Sequence, residues 1–141
     1  MQKTSKAGYV EKIFEGVDWA GLGIHLAIIH GSFIRDERPR DVDMILVIDK
    51  TYDEDETVIK IMRVVEEKTR LEADIYIIQD PSEANCFLIW EALRNGIILY
   101  QDPVGREVLV KTIDICYDFM LSREKLRYTE TMIERYDKNV A

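Results

Sequence analysis

The chain is 141 residues long, the size of one ordinary domain and enough to bury a core without metal or disulfide staples. Hydrophobic residues make up 47% and charged residues 33%, with only 7 Gly and 3 Pro, which excludes a disordered, collagen-like or low-complexity chain. Lys and Arg number 19 against 27 Asp and Glu, a formal net charge of -8, which argues against binding of extended nucleic acid by counterion release and leaves room only for a local basic patch.

The N-terminus, MQKTSKAGYVEKIFEGV, has no apolar signal core, and no apolar run approaches the ~18 residues of a membrane span, so the expectation is a cytoplasmic protein without membrane contact. Val10, Ile13, Phe14 and Val17 recur at helical spacing and predict an N-terminal helix ending near Gly21 or Gly23. IHLAIIH, residues 24–30, is an apolar run bounded by glycines, as expected of a buried central strand. A second strand over 42–48 has the same two-sided apolar character, residues 49–55 read as a turn, and the charge run 53–56 as a solvated turn. Val58, Ile61, Met62 and Val65 predict an amphipathic helix, and ADIYII, residues 73–78, a third strand.

Asp80-Pro81-Ser82 supplies a turn and an N-cap for a helix over 83–94, with Cys86, Phe87, Trp90 and Leu93 as its apolar stripe. Asn95-Gly96 suits a helix end at positive φ, and residues 97–100 read as a short edge strand. From Val104 onward Leu109, Ile113, Cys116, Met120, Tyr128, Met132 and Tyr136 recur at helical spacing, in one helix or in two divided at Ser122. Cys86 and Cys116 lack any CxxC or Cys/His spacing and read as core thiols. The fold class expected is α/β: a small mixed sheet flanked by helices over residues 1–103, with a C-terminal helical extension over 104–141 packed on the same domain.

The chemistry concentrates between His30 and Asp43. Asp41 and Asp43 stand two residues apart where a strand begins, so their carboxylates project from one face and repel unless a cation lies between them. Mg²⁺, which takes a few carboxylates together with phosphate oxygens and water, suits an oxygen-only pair. Asp74, near the start of the third strand, reaches the same face if that strand neighbours the second. Gly31-Ser32, leaving the first strand, offers free backbone N–H groups and a hydroxyl to a phosphate. Arg35, Arg38 and Arg40 concentrate positive charge beside the carboxylates; Arg35 and Arg40 are the candidate phosphate contacts, against surface pairing with Asp36, Glu37 and Asp41. His30 reads as a hydrogen-bonded core histidine, and His25, Trp19 and Trp90 as packing residues. Metal ligands beside phosphate donors fit phosphoryl or nucleotidyl transfer.

These residues resemble the nucleotidyltransferase superfamily of the DNA polymerase β type, and in particular its minimal nucleotidyltransferases. The signature is a strand, Gly-Ser, a short helix, a second strand bearing Asp-x-Asp, and a carboxylate on a later strand. Gly31-Ser32, Asp41-Val42-Asp43 and Asp74 follow it in order over residues 8–100. Eight residues separate Ser32 from Asp41 where minimal members have about ten, and Asp36 stands where they carry Gly. The resemblance implies transfer of a nucleoside monophosphate from an NTP, ATP foremost, to a hydroxyl acceptor with release of pyrophosphate. Gly31 and Ser32 would hold the triphosphate, Asp41 and Asp43 Mg²⁺, and Asp74 would complete the metal site and help deprotonate the acceptor. It also implies an alternative role as an antitoxin-type regulatory subunit bound to a helical HEPN partner. A degenerate nucleotide-binding module without turnover is the third reading. The helix beyond the minimal fold either packs on the core or docks a second subunit, another copy of the chain included.

Overall fold

The computed structural model describes residues 2–140, and the side chains of residues 6–127 and 129–135. Its elements in chain order are α1 (Gln2–Ile13), β1 (Ile24–His30), α2 (Ser32–Arg35), β2 (Asp41–Ile48), α3 (Glu54–Thr69), β3 (Glu72–Ile77), a 3-10 turn (Pro81–Glu83), α4 (Cys86–Asn95), β4 (Ile97–Gln101) and α5 (Pro103–Val140). The four strands form one sheet in the order β3-β2-β1-β4, with β2 and β3 parallel and β1 antiparallel to both of its neighbours. This is the mixed α/β sheet expected from the sequence.

The two apolar strands, β1 and β2, are the central ones, covered on both sides. On one side Val10 and Phe14, Phe33 of α2, and Ile61 and Val65 of α3 pack on Ala27, Ile29, Met44 and Leu46. On the other, Ile89 and Ala92 of α4 and Leu109 and Cys116 of α5 pack on Leu26, Ile28, Ile45 and Val47. A strand with helices on both faces must be apolar at consecutive positions, which is why neither run alternates.

Several boundaries and faces differ from expectation. The N-terminal helix stops at Ile13, and turns carry the chain past Trp19, buried against Phe14, to β1. Asp53 is an N-cap, accepting from the Glu56 N–H at 3.0 Å, so the acidic stretch opens α3. In α3 the buried residues are Thr57, Ile61 and Val65, and Met62 is exposed. Asp80 and Ser82 close only the 3-10 turn; Asn85 caps α4, accepting from the Leu88 N–H. The face α4 buries is Ile89 and Ala92, which leaves Phe87, Trp90 and Leu93 largely exposed. Gly96 has φ -88, an ordinary value; a Cβ there would collide with the carbonyl oxygens of Ala92 and Ile29, so it is close approach that calls for glycine.

α5 is a single 38-residue helix. Leu109, Thr112 and Cys116 are buried, Met120 is half-buried, and residues 121–127 and Met132 are exposed. Its packing on the sheet therefore ends near Met120. Tyr128 and Tyr136 lie outside the described side chains. His25 also departs from a packing role. Its Nδ1 lies 2.6 Å from Asp102 Oδ2 and its Nε2 3.7 Å from Asp49 Oδ2, and Asp102 in turn accepts from the Gly105 N–H at 2.8 Å. Partial burial acts to raise the Asp102 pKa, and the hydrogen bonds from His25 and the Gly105 N–H outweigh it, leaving the carboxyl below its ordinary value.

Cys86 and Cys116 are joined in a disulfide, their Cα atoms 5.1 Å apart, which ties the first turn of α4 to α5; the core-thiol reading is corrected. The bond closes a loop of 30 residues, for which loop-closure entropy predicts about 3–4 kcal/mol of stability. Urea unfolding with and without a dithiol reductant should show that difference, and an unchanged midpoint would mean that the bond does not constrain the unfolded chain.

Candidate active site

The end of β1 and the starts of β2 and β3 meet at one edge of the sheet. Antiparallel pairing sets His30 opposite Asp43, and parallel pairing sets Asp43 opposite Asp74 and Asp41 opposite Glu72. Because paired residues share a face, His30, Asp43 and Asp74 form one row, and Asp41, two residues from Asp43, joins it on the side covered by α4 and α5. One oxygen from each of Asp41, Asp43 and Asp74 lies within 4.8 Å of the others. Opposite ligands of a Mg²⁺ ion at 2.0–2.1 Å are about 4.2 Å apart, so the three carboxylates fit a small divalent cation with minor side-chain rotation.

The electrostatics point the same way. Partial burial first, and then the charges of Asp41, Asp74 and Glu91, push the Asp43 carboxyl above its ordinary pKa, with Arg35 opposing them. His30 is 4% exposed, and burial holds its pKa below the usual value against the pull of Glu91 and Asp74. A neutral imidazole beside a crowded carboxylate leaves the negative charge uncompensated, and a cation would relieve it.

Gly31 has φ 78 and ψ -151, and a Cβ there would run into the Asp43 carboxylate, so only glycine brings the backbone this close to the acidic group. Ser32 opens α2, with its Oγ 3.5 Å from both the backbone oxygen and Oδ1 of Asp41, contacts long enough to yield to a ligand. Arg35, one turn on, places Nη1 3.6 Å from Glu91 Oε1 of α4, not against Asp36 or Glu37. Arg40 is exposed immediately before β2.

The predicted residues are thus brought together: Gly31, Ser32, Asp41, Asp43 and Asp74 surround one corner, with Arg35 at its rim and Arg40 on the neighbouring loop. Glu91 was missed. Nothing local marks it, because it arrives through the packing of α4 on β1.

The model of the family described as Polymerase beta, Nucleotidyltransferase matches residues 12–103. Among curated proteins no sequence matches the chain. Among solved structures the fold resembles a mutant of the toxin-antitoxin MntA-HpeT, with TM-score 0.53 and 14% identity over 89% of this chain and 98% of that one. A toxin-antitoxin with AMP-PNP gives TM-score 0.53 at 15% identity, again over 89% and 98% of the two chains. The tri-AMPylated Shewanella oneidensis HEPN toxin in complex with MNT antitoxin gives 0.50 at 15% identity, over 92% and 98%. At these identities the likeness is one of fold. With the family model covering the whole sheet, and Gly-Ser, Asp-x-Asp and a third strand carboxylate converging at its edge, the chain belongs to the polymerase β-type nucleotidyltransferase family.

Proposed function

We propose that this protein transfers a nucleoside monophosphate from an NTP, ATP foremost, to a hydroxyl acceptor, and that the acceptor is carried by a HEPN-type protein partner. The observation that carries this reading is the convergence of Asp41, Asp43 and Asp74 against Gly31. Its support for adenine nucleotide and for a protein acceptor comes from the AMP-PNP and AMPylated structures that share the fold. Residues 1–103 would be the transferase domain and 104–141 an extension on it, in keeping with a family match that ends where α5 begins. No helix of the described residues is long and apolar enough to cross a membrane; the NTP-dependent reading favours a cytoplasmic location, whereas the Cys86–Cys116 bond is of a kind more common in oxidising compartments.

Asp41, Asp43 and Asp74 are the residues that would hold Mg²⁺. When bound, the ion supplies neutralisation of phosphate charge and a lowered pKa for a hydroxyl beside it. The chain's own groups do the rest. The backbone N–H groups after Gly31 and the Ser32 hydroxyl donate to phosphate oxygens, and Arg35 and Arg40 offset charge on the departing pyrophosphate. An Asp74 carboxylate oxygen accepts the acceptor's proton as its oxygen bonds to the α-phosphorus, and the bond to pyrophosphate breaks with its electron pair.

Calorimetric titration with ATP is the direct test. Affinity should be at least about tenfold higher with Mg²⁺ than with EDTA, because carboxylates and a triphosphate repel without a cation between them. Equal affinities would overturn the metal bridge. The second reading, a regulatory subunit that acts by binding alone, is favoured by the exposed Phe87 and Trp90 of α4 and Phe119 of α5, Phe87 and Phe119 in edge-on contact at 6.2 Å. A partner that co-purifies and gains no mass on addition of ATP and Mg²⁺ would favour it, as it would a module without turnover.

A further inference from the structure

Arg35 and Glu91 come from elements far apart in sequence and meet at the rim of the acidic group, Nη1 to Oε1 3.6 Å, each about half exposed. Arg35 lies in α2, which starts directly after Gly31, and Glu91 faces it from α4, which packs on β1, so the pair stands beside the end of β1 where the acidic group lies. Arg35 also lines a cavity of about 640 Å³ that opens between α1, the end of α2 and the end of α4, together with Lys6, Ile34, Arg94 and Gly96 and the acidic Asp36 and Glu37. The guanidinium therefore stands between a single carboxylate and an open cavity, one turn along α2 from Gly31, whose backbone oxygen accepts from the Arg35 N–H. A half-exposed ion pair is worth little and is readily exchanged. A polyphosphate offers the same planar donor two oxygens in parallel and more charge than one carboxylate.

We propose that Arg35 exchanges partners, held by Glu91 in the nucleotide-free protein and by the triphosphate in the loaded one, so that Glu91 is a competitor built into the site that sets nucleotide affinity. The inference rests on the nucleotide-binding reading above and specifies how that same site is regulated. Its consequence is a coupling: the effect of Glu91 on nucleotide affinity must pass through Arg35.

A double-mutant cycle on the full chain tests this, with Mg²⁺-ATP affinity measured by calorimetry for the wild type, Glu91→Gln, Arg35→Gln and the double variant. Glu91→Gln should bind more tightly, by up to about fivefold, the ceiling for a surface pair. Arg35→Gln should bind about tenfold more weakly. Adding Glu91→Gln to Arg35→Gln should yield no gain, because no cation remains to release. A gain of the same size in both backgrounds would show Glu91 acting only as general negative charge and would overturn the exchange while leaving the nucleotide site intact. Unchanged or weaker binding in Glu91→Gln, repeated in Glu91→Ala to exclude a substitute hydrogen bond from the amide, would overturn it as well. A wild type that binds no Mg²⁺-ATP would bring down the nucleotide reading and the exchange together.

Discussion

Asp43→Asn should abolish transfer, by roughly a thousandfold or ~4 kcal/mol, the scale expected when the charge stabilisation that a metal supplies is lost. Mg²⁺-dependent ATP binding should weaken with it. Asp43 is the middle of the row His30, Asp43, Asp74 and is the carboxylate against which Gly31 is packed. The same substitution should leave the protein at least as stable at neutral pH. Burial and the surrounding carboxylates raise the folded-state pKa of Asp43 above its ordinary value. A carboxyl shifted upward favours the folded state only where it is protonated, below the unfolded pKa of about 3.9, and that contribution is lost as pH rises through the folded value. At pH 7 the ionised group is a cost, and the neutral amide removes it. Urea unfolding in EDTA at pH 7 and at pH 3.5 should therefore show Asp43→Asn gaining on the wild type at the higher pH and losing that advantage at the lower one. A variant that is less stable at pH 7 would mean that Asp43 is a structural residue; a stable variant with wild-type transfer would remove it from the reaction.

Asp74→Asn should separate binding from chemistry. Asp74 is the exposed member of the group and comes from β3, the strand farther from Gly31 and Ser32. Its proposed tasks lie on the acceptor side: completing the metal site there and taking the hydroxyl proton. ATP affinity should stay within about tenfold, or ~1.4 kcal/mol, while transfer falls roughly a hundredfold or more, the loss expected when a group acts chiefly in the transition state. Labelling with radioactive ATP, read on the co-purified partner or on the chain itself, gives the rate, and calorimetry gives the affinity. Unchanged transfer would return Asp74 to a strand-end carboxylate, and loss of ATP binding would place it on the nucleotide side.

Residues close in sequence carried most of the fold and the centre of the site. The continuous apolar runs of β1 and β2 already required a sheet covered on both faces, and the spacing of Asp41 and Asp43 put both carboxylates on one face whatever lay beside them. The long-range pairings were decided only by the tertiary structure. Asp74 joins the other two because β3 runs parallel to β2 in a register that sets Asp43 opposite Asp74, and a shift of one residue would have turned it to the other side of the sheet. In α4, CFLIWEAL is apolar almost all the way round, so periodicity could not choose its buried face. Packing on β1 chose Ile89 and Ala92, exposed Phe87 and Trp90, and carried Glu91 to Arg35. The disulfide and the His25–Asp102 pair are likewise long-range, joining positions 30 and 77 residues apart: the first meet once α5 lies against α4, the second once β4 pairs with β1. Backbone geometry fixes which way neighbouring side chains point over a few residues, whereas contacts across the fold depend on register and on which helix face is buried, and those are settled by the packing of the whole core.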